Sequence, residues 1–389
     1  MSNIQKNNKP NVPNLRFPVF SGEWKKSILK AECEINPKTG PLADTFQYID
    51  LESVVKGQLI KVNYLKKEDA PSRAQRVLSK WDILYQCVRP YQLNNFLVRD
   101  NSSTQRVAST GYAQIRTNNN PDFFFQLLHT QKFTGRVINR CTGTNYPAIN
   151  STDLSEIEIN IPEIKEQEKI GRMLSLIDQR IAIQNRLIED LKKLKTALCE
   201  LLYDESEHNC LIGDLVEQIS IRNKQGESFK ILSVSNQLGF VEQSEQFEGR
   251  TIASQDTSNY KIVSLNDFAY NPARINVGSI AKLKVIEKGI VSPMYVCFRC
   301  KDGVLPDYLE TFFDTQYFFL EMEKRLEGSV RMCLSFEGLS DIPINLPSLM
   351  EQQAIAYRIS TLSQKIEIEM KILKKFIQQK KYVLSNVLI

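Results

Sequence analysis

The chain has 389 residues, 42% of them hydrophobic and 24% charged, the composition of ordinary globular protein with length enough for two or three domains. No run of ~18 apolar residues occurs, the polar opening MSNIQKNNKPN is neither a signal peptide nor an anchor, and eight cysteines are too sparse for a disulfide scaffold; the expectation is a soluble, cytoplasmic protein. The net charge of +5 is uneven: residues 1–165 carry 22 basic and 15 acidic side chains, residues 206–350 carry 14 and 19, and residues 351–389 carry 7 and 3, so only the first domain has a bulk footprint for phosphates.

In chain order, a strand is expected over Phe46 to Leu51, followed by a basic stretch in which Lys66, Lys67, Arg73 and Arg76 are candidates to hold phosphates. A strand-turn segment, Trp81-Asp-Ile-Leu-Tyr85, leads into the polar segment Arg89 to Arg99. There Arg89, Tyr91, Gln92, Asn94, Asn95 and Arg99 mix the residue types that read base edges, Arg to guanine and Asn or Gln to adenine, and Arg106 joins the phosphate candidates. The aromatic run Asp122 to Thr130 reads as a helix facing a core. A Gly143-Thr144 loop follows, then a strand ending at Pro162.

From Glu166 a long segment without proline steps its apolar residues by fours and threes: Ile170, Leu174, Ile177, Ile181, Ile188, Leu191 and onward, with Gln184 and Lys195 as polar interruptions. That is the seam of a coiled coil.

The remainder repeats the first part at an offset of 185 positions. Gly143 meets Gly328, Leu154 meets Leu339, Ile157 meets Ile342, Asn160 meets Asn345, Pro162 meets Pro347, and Glu166-Gln167 meets Glu351-Gln352. Upstream, Asp82, Tyr85 and Arg89 match Asp267, Tyr270 and Arg274, Pro121-Asp122 matches Pro306-Asp307, and Thr130-Gln131 matches Thr315-Gln316. The second helix repeats the seam with Ile355, Ile359, Leu362, Ile366, Leu373 and Phe376, and places Glu369 and Lys380 where the first has Gln184 and Lys195. Candidate DNA contacts in this copy are Arg274, Asn276, Ser279 and Lys282, with Arg250 as a further cation; on so acidic a domain the basic groups, Lys284 and Lys288 included, must gather on one face.

The repeat gives an α+β expectation: two similar mixed α/β domains, residues 1–165 and 206–350, alternating with helices over residues 166–205 and 351–389. Connectivity makes the helices an antiparallel coiled coil with a pseudo-twofold axis and the chain ends close together. The rod would be roughly 57 Å long and act as a ruler on duplex DNA. Cross-pairing of Lys195 with Glu369 and of Lys380 with Gln184 would fix its register.

Catalytic chemistry is hard to find. The two histidines, His129 beside a core helix and His208 in a linker, belong to no nucleophilic or metal constellation, and no Gly-rich GK[ST] loop occurs. Cys297-Phe-Arg-Cys300 has metal-ligand spacing but no second pair, and its alternating neighbours suit a strand. No catalytic or metal-binding residue is assigned.

The stretch Asn14-Leu-Arg-Phe-Pro-Val-Phe-Ser-Gly-Glu-Trp24, with the twice-used Gly-Thr/Ser loop, Leu-x-x-Ile-x-Ile strand, proline and Glu-Gln, resembles the specificity (S, HsdS) subunit of bacterial type I restriction-modification systems over essentially the whole chain. Departures are Ile-Pro-Glu-Ile and Leu-Pro-Ser-Leu without a doubled proline, and Arg331-Met-Cys-Leu in place of the polar Asn145-Tyr-Pro-Ala. The resemblance implies a non-catalytic subunit whose two target-recognition domains each read half of a bipartite, asymmetric site in double-stranded DNA. The helices would set the unread gap and dock two modification subunits. In that scheme S-adenosylmethionine, and ATP with Mg for restriction, belong to the modification and motor-nuclease partners; this chain binds no cofactor. The competing expectation is a coiled-coil scaffold that ignores DNA.

Overall fold

The computed structural model describes residues 11–203, 208–236, 238–243, 256–284, 286–329 and 331–389. The chain divides into two compact units, residues 1–185 with 372–389, and residues 186–371. Among the described residues no helix is long and apolar enough to cross a membrane, and all eight cysteines are free thiols.

In the first unit a short ribbon pairs Lys25–Ile28 with Glu158–Ile161. A four-stranded sheet follows in the order Cys33–Ile35, Tyr112–Thr117, Ile83–Gln86, Phe96–Leu97. A second runs Asn63–Lys66, Thr45–Ile49, Arg106–Ser109, Ala74–Val77, its middle pair parallel. The strand expected at Phe46 to Leu51 is there as Thr45–Ile49, and the aromatic run forms the helix Pro121–Leu127. Proline opens that helix, where its missing N–H costs nothing, and the Asn120 side chain accepts from Phe123 N. Phe123, Phe124 and Phe125 are buried with Trp24, Tyr85 and Phe133, as expected of a core face.

The second unit repeats these three sheets in the same strand order. Its ribbon pairs Cys210–Leu211 with Pro343–Ile344. One sheet runs Val216–Ile219, Val296–Cys300, Phe268–Tyr270, Ile280–Lys282, and the other Gly239–Glu242, Ile231–Ser235, Lys288–Val291, Lys261–Ser264, again with a parallel middle pair. Cys297 and Cys300 lie on a strand, as their alternation implied. The threonines of the repeated Thr-Gln step do one job twice: Thr130 and Thr315 cap the helices Gln131–Ile138 and Gln316–Lys324 through Phe133 N and Phe318 N.

Two 39-residue helices, Ile164–Leu202 and Leu349–Val387, follow the two domains in the chain. Gln167 and Gln352 anchor their starts. Gln167 donates to Pro162 O at 3.0 Å and Gln352 to Pro347 O at 2.9 Å, while each accepts from the loop before the aromatic helix, at Asn120 N and Leu305 N. The neighbouring Glu differs between copies. Glu166 is buried in a two-toothed pair with Arg16, at 2.8 and 2.7 Å, whereas Glu351 is exposed and accepts from Ser348.

Every seam position read from the sequence is buried or half-buried: Ile170, Leu174, Ile177, Ile181, Ile188, Leu191, Ile355, Ile359, Leu362, Ile366, Leu373 and Phe376. Within the first unit Ile170, Leu174 and Ile177 share an apolar cluster with Val383, Leu384, Val387 and Leu388, and the Arg180 guanidinium lies 5.0 Å from the Phe376 ring. Numbers rise on one helix as they fall on the other, so the pairing there is antiparallel. Within the second unit Leu198, Cys199 and Leu202 share an apolar cluster with Ile355 and Ile359.

The seam lysines depart from expectation. Lys195 reaches Asp314 at 2.7 Å and Lys380 reaches Asp178 at 2.6 Å, in place of the cross-pairs with Glu369 and Gln184. A lysine stem lies along the apolar seam and carries its ammonium to a carboxylate at the solvent boundary, which spares the cation full burial. Glu369 takes Lys365, one turn earlier, at 2.6 Å. Within the first unit the end of the second long helix is tied to the earlier part of the chain: Leu15 N donates to Asn386 O at 2.9 Å and Asn160 Nδ2 to Ile389 O at 3.2 Å.

Candidate nucleic-acid interface

The repeated Asp of the strand-turn segment is a structural anchor in both units. Asp82 is buried, accepts from Ser79 N at 2.7 Å and Gln114 Nε2 at 2.7 Å, and receives both arms of Arg116 at 2.8 Å. Asp267 accepts from Ser264 N at 2.7 Å and holds Arg299 at 2.8 and 2.9 Å. Each pair raises its guanidinium's pKa through the hydrogen bond to the carboxylate and fixes the strand that leads into the divergent polar segment.

In the first unit that segment begins with Arg89 and Leu93 both left-handed, at φ 55°, bracketing the turn Pro90–Gln92. Arg89 N donates to Pro147 O at 2.8 Å, and its guanidinium lies 4.2 Å from the centre of the Tyr146 ring. Tyr91 and Gln92 are exposed, although Gln92 accepts from Gln86 Nε2 at 2.9 Å. Asn94 accepts from Lys56 N at 3.0 Å.

Three of the residues expected to contact bases or phosphates are engaged within the chain, one of them buried and two in ion pairs. Asn95 is 1% exposed and accepts from Gln86 N at 2.8 Å, because the short strand after it needs its backbone partner's N–H satisfied. Arg99 pairs with Asp122 at the start of the aromatic helix. Arg106 makes a two-toothed pair with Asp100 at 2.8 and 3.0 Å, which holds that carboxyl below its usual pKa range.

The remaining cations do not form one row. Lys66 and Arg76 lie on opposite edge strands of one sheet, Lys67 follows the first strand and Arg73 precedes the second. Lys66 sits 3.6 Å from Glu68; Lys67 and Arg73 are exposed, and Arg76 is half-buried, with burial lowering its pKa.

In the second unit the expected gathering of cations fails at two places. Lys282 is 4% exposed, its Nζ 2.5 Å from Asp307 and 3.6 Å from Glu310, and Lys284 takes Glu310 at 2.9 Å. Acidic residues on the aromatic helix neutralise both, as Asp122 does for Arg99 in the first unit. Ser279 is also internal, buried and donating to Val234 O at 3.1 Å. Arg250 lies outside the described residues. Arg274 and Asn276 are exposed and line a groove of about 610 Å³ with Asn271, Met294, Arg331 and Met332.

Arg331 is missing from the sequence-derived set, although the ungapped repeat places it opposite Tyr146. Both stand on the same loop. Backbone bridges close it at Thr142 and Ala148 in the first unit and at Glu327 and Cys333 in the second. Gly143 and Gly328 open the loop at φ 88° and 120°. A Cβ on Gly328 would come within 2.3 Å of Arg331 O, so only glycine permits the turn.

Comparisons with known proteins agree with this twofold plan. The family model for the type I restriction modification DNA specificity domain matches residues 54–193 and again 224–377. The type I restriction enzyme HindI specificity subunit of Haemophilus influenzae is 27% identical over 156 residues, 39% of this chain and 34% of that protein. The putative type I restriction enzyme MjaX specificity subunit of Methanocaldococcus jannaschii is 24% identical over 262 residues, 63% of this chain and 61% of that protein. The chain therefore spans less than two thirds of the length of these curated relatives. Among solved structures, the type I restriction-modification S subunit from M. genitalium superimposes with a TM-score of 0.62 at 14% identity, covering 97% of this chain and 99% of that one. A chain from a study of complex assembly and conformational transition of the type I R-M system gives 0.54 at 19% identity, covering 94% and 97%. These two likenesses speak to the fold. With one family model fitting both copies and taking in most of the residues, the chain belongs to the type I restriction modification DNA specificity domain family.

Proposed function

We propose that this chain is the DNA sequence-specificity subunit of a type I restriction-modification complex, each unit reading one half of a bipartite, asymmetric site in double-stranded DNA. The observation that carries this reading is the pairing of one strand order with unlike side chains at matched places: the turn Pro90–Gln92 and Tyr146 in one unit, the turn Ile275–Val277 and Arg331 in the other. Identical scaffolds with unlike faces suit a target whose halves differ. Arg89, Tyr91 and Gln92 in the first unit, and Asn276 in the second, are the assigned base contacts. Lys67 and Arg73 are exposed cations for the backbone.

The subunit supplies recognition, and methyl transfer and cleavage belong to its partners. The long helices carry apolar side chains that their own seam leaves in solvent: Leu176, Ile183, Leu187, Leu194 and Leu201 on the first, Ile368, Met370, Ile377 and Tyr382 on the second. On the first helix these recur at intervals of seven and four, a second stripe beside the seam. Stripes of this kind suit the docking of two modification subunits.

The test is to express the chain with its modification subunit and map methylated bases by single-molecule sequencing. A two-part motif with unlike halves and a fixed unread gap is expected. Absent or sequence-independent methylation, with the complex assembled, would favour the scaffold.

A further inference from the structure

We infer that the groove between Arg274 and Arg331 grips a phosphodiester of the DNA backbone. This rests on the DNA-reading function proposed above and names the residues through which the acidic second unit holds a polyanion.

Charge accounting singles the groove out. Residues 206–350 carry fewer basic than acidic side chains, and most of the cations are already engaged. Lys230, Lys282, Lys284, Arg299, Lys324 and Arg325 sit on carboxylates, Lys261 and Lys301 on carbonyl oxygens, and Arg222 on Asn259. Among the described residues of this stretch, Lys224, Arg274, Lys288 and Arg331 alone have no side-chain hydrogen bond or ion pair. Two of those four line a single groove, and both are exposed. Two guanidinium groups facing one space without a counter-ion repel each other, and an anion between them turns that cost into attraction.

The backbones that carry them are built in advance. Glu327 and Cys333 close the hairpin under Arg331 at 2.9 and 2.8 Å, and Gly328 makes its turn. Leu334 N donates to Pro272 O at 3.1 Å and ties that hairpin to the segment carrying Arg274. Arg274 N donates to Asn271 O at 3.0 Å, and Asn271 Oδ1 accepts from Ala273 N at 3.1 Å. Less backbone ordering is then left to the moment of binding.

Phosphate fits better than a base edge. Reading a base requires a donor fork held in orientation by neighbours, and neither guanidinium has a side-chain partner to hold it. A phosphate asks only for positive charge within reach. In the first unit the matching arginine, Arg89, has its face laid on Tyr146, so the two units present different surfaces at the same loop.

The experiment measures binding of duplex DNA by the full chain assembled with its modification subunit, over a series of salt concentrations. Arg274→Ala and Arg331→Ala are each expected to weaken binding roughly tenfold and to reduce the slope of log K against log salt by about 0.9. The loss should be equal on target and scrambled duplexes, with the methylated motif unchanged. Arg331→Tyr, which copies the first unit's loop, should behave like Arg331→Ala, and Arg274→Lys and Arg331→Lys should keep the wild-type slope. An unchanged slope in both alanine variants overturns the assignment. So does a loss confined to the target duplex with altered bases in one half of the motif, the signature of base reading. Wild-type protein with no salt-dependent DNA binding would bring down the function itself, a result separable from either.

Discussion

Asp82 and Asp267 show what a repeated residue is for. Each sits at the turn before a central strand, accepts the N–H of the residue three back, and clamps an arginine on the neighbouring strand. The residue before each, Trp81 and Asn266, is left-handed, at φ 74° and 70°, so the two turns share a backbone though their side chains differ. Asp82 has one partner more than Asp267, the buried amide of Gln114. Asp82→Asn therefore removes the charge from a buried three-way network, and a cost of about 3 kcal/mol to the first unit is expected. Asp267→Asn should cost less. Urea unfolding of both variants checks the order, and equal losses would show that Gln114 contributes nothing. His129 gives a pH dependence to the same unit. Burial is the main cause that pushes its pKa down to about 4 from an ordinary value near 6.5, and Nδ1 lies 2.6 Å from Phe125 O. The folded unit keeps this imidazole neutral while the unfolded chain protonates it, so stability is lost as pH falls from about 6.5 to about 4. The loss approaches about 3 kcal/mol below that window. Melting of wild type and His129→Leu at pH 7 and pH 4.5 tests this: carboxylates titrate in both proteins, and the gap between them should narrow at the lower pH. A constant gap would assign the acid sensitivity elsewhere.

At the scale of elements, what the chain reveals in advance depends on how local the cause is. The seam of the long helices is legible because burial on a helix recurs every three or four residues, and nothing outside the helix is needed to see it. The caps at Thr130 and Thr315 and the opening prolines at Pro121 and Pro306 are legible for the same reason. The candidate contact surface is legible only in outline. Arg99 and Lys282 have the composition and spacing of DNA contacts, yet each is taken by an aspartate at the head of the aromatic helix, 23 and 25 residues further on. Asn95 and Ser279 have the right chemistry for base edges and spend it on backbone. A polar residue in a divergent loop looks the same in sequence whether it faces solvent or satisfies a buried N–H. Arg331 was hidden for the opposite reason. Its loop loses polarity against the first copy, and only the juxtaposition with Arg274 across a groove gives it a role.

For the whole molecule, the chain path matters more than any contact. The first long helix begins in one unit and ends in the other, and the second passes between the same units in the reverse order. If each unit reads half a site, the length of these helices sets the unread gap. Seven residues inserted between Gln184 and Ile188, with seven more between Glu369 and Leu373, would keep the four-three rhythm of both seams. At ~1.5 Å per residue this adds about 10 Å, or about three base pairs at ~3.4 Å each. The duplex also turns by roughly a third of a revolution over that length, so binding should weaken even as the spacing shifts. Mapped methylation is then expected to return the same two half-sites with the gap widened by about three base pairs. A gap of the original length would show that something other than these helices measures it. Insertion into one helix alone sets unequal lengths against each other along the seam, and that variant should fail to form the complex at all.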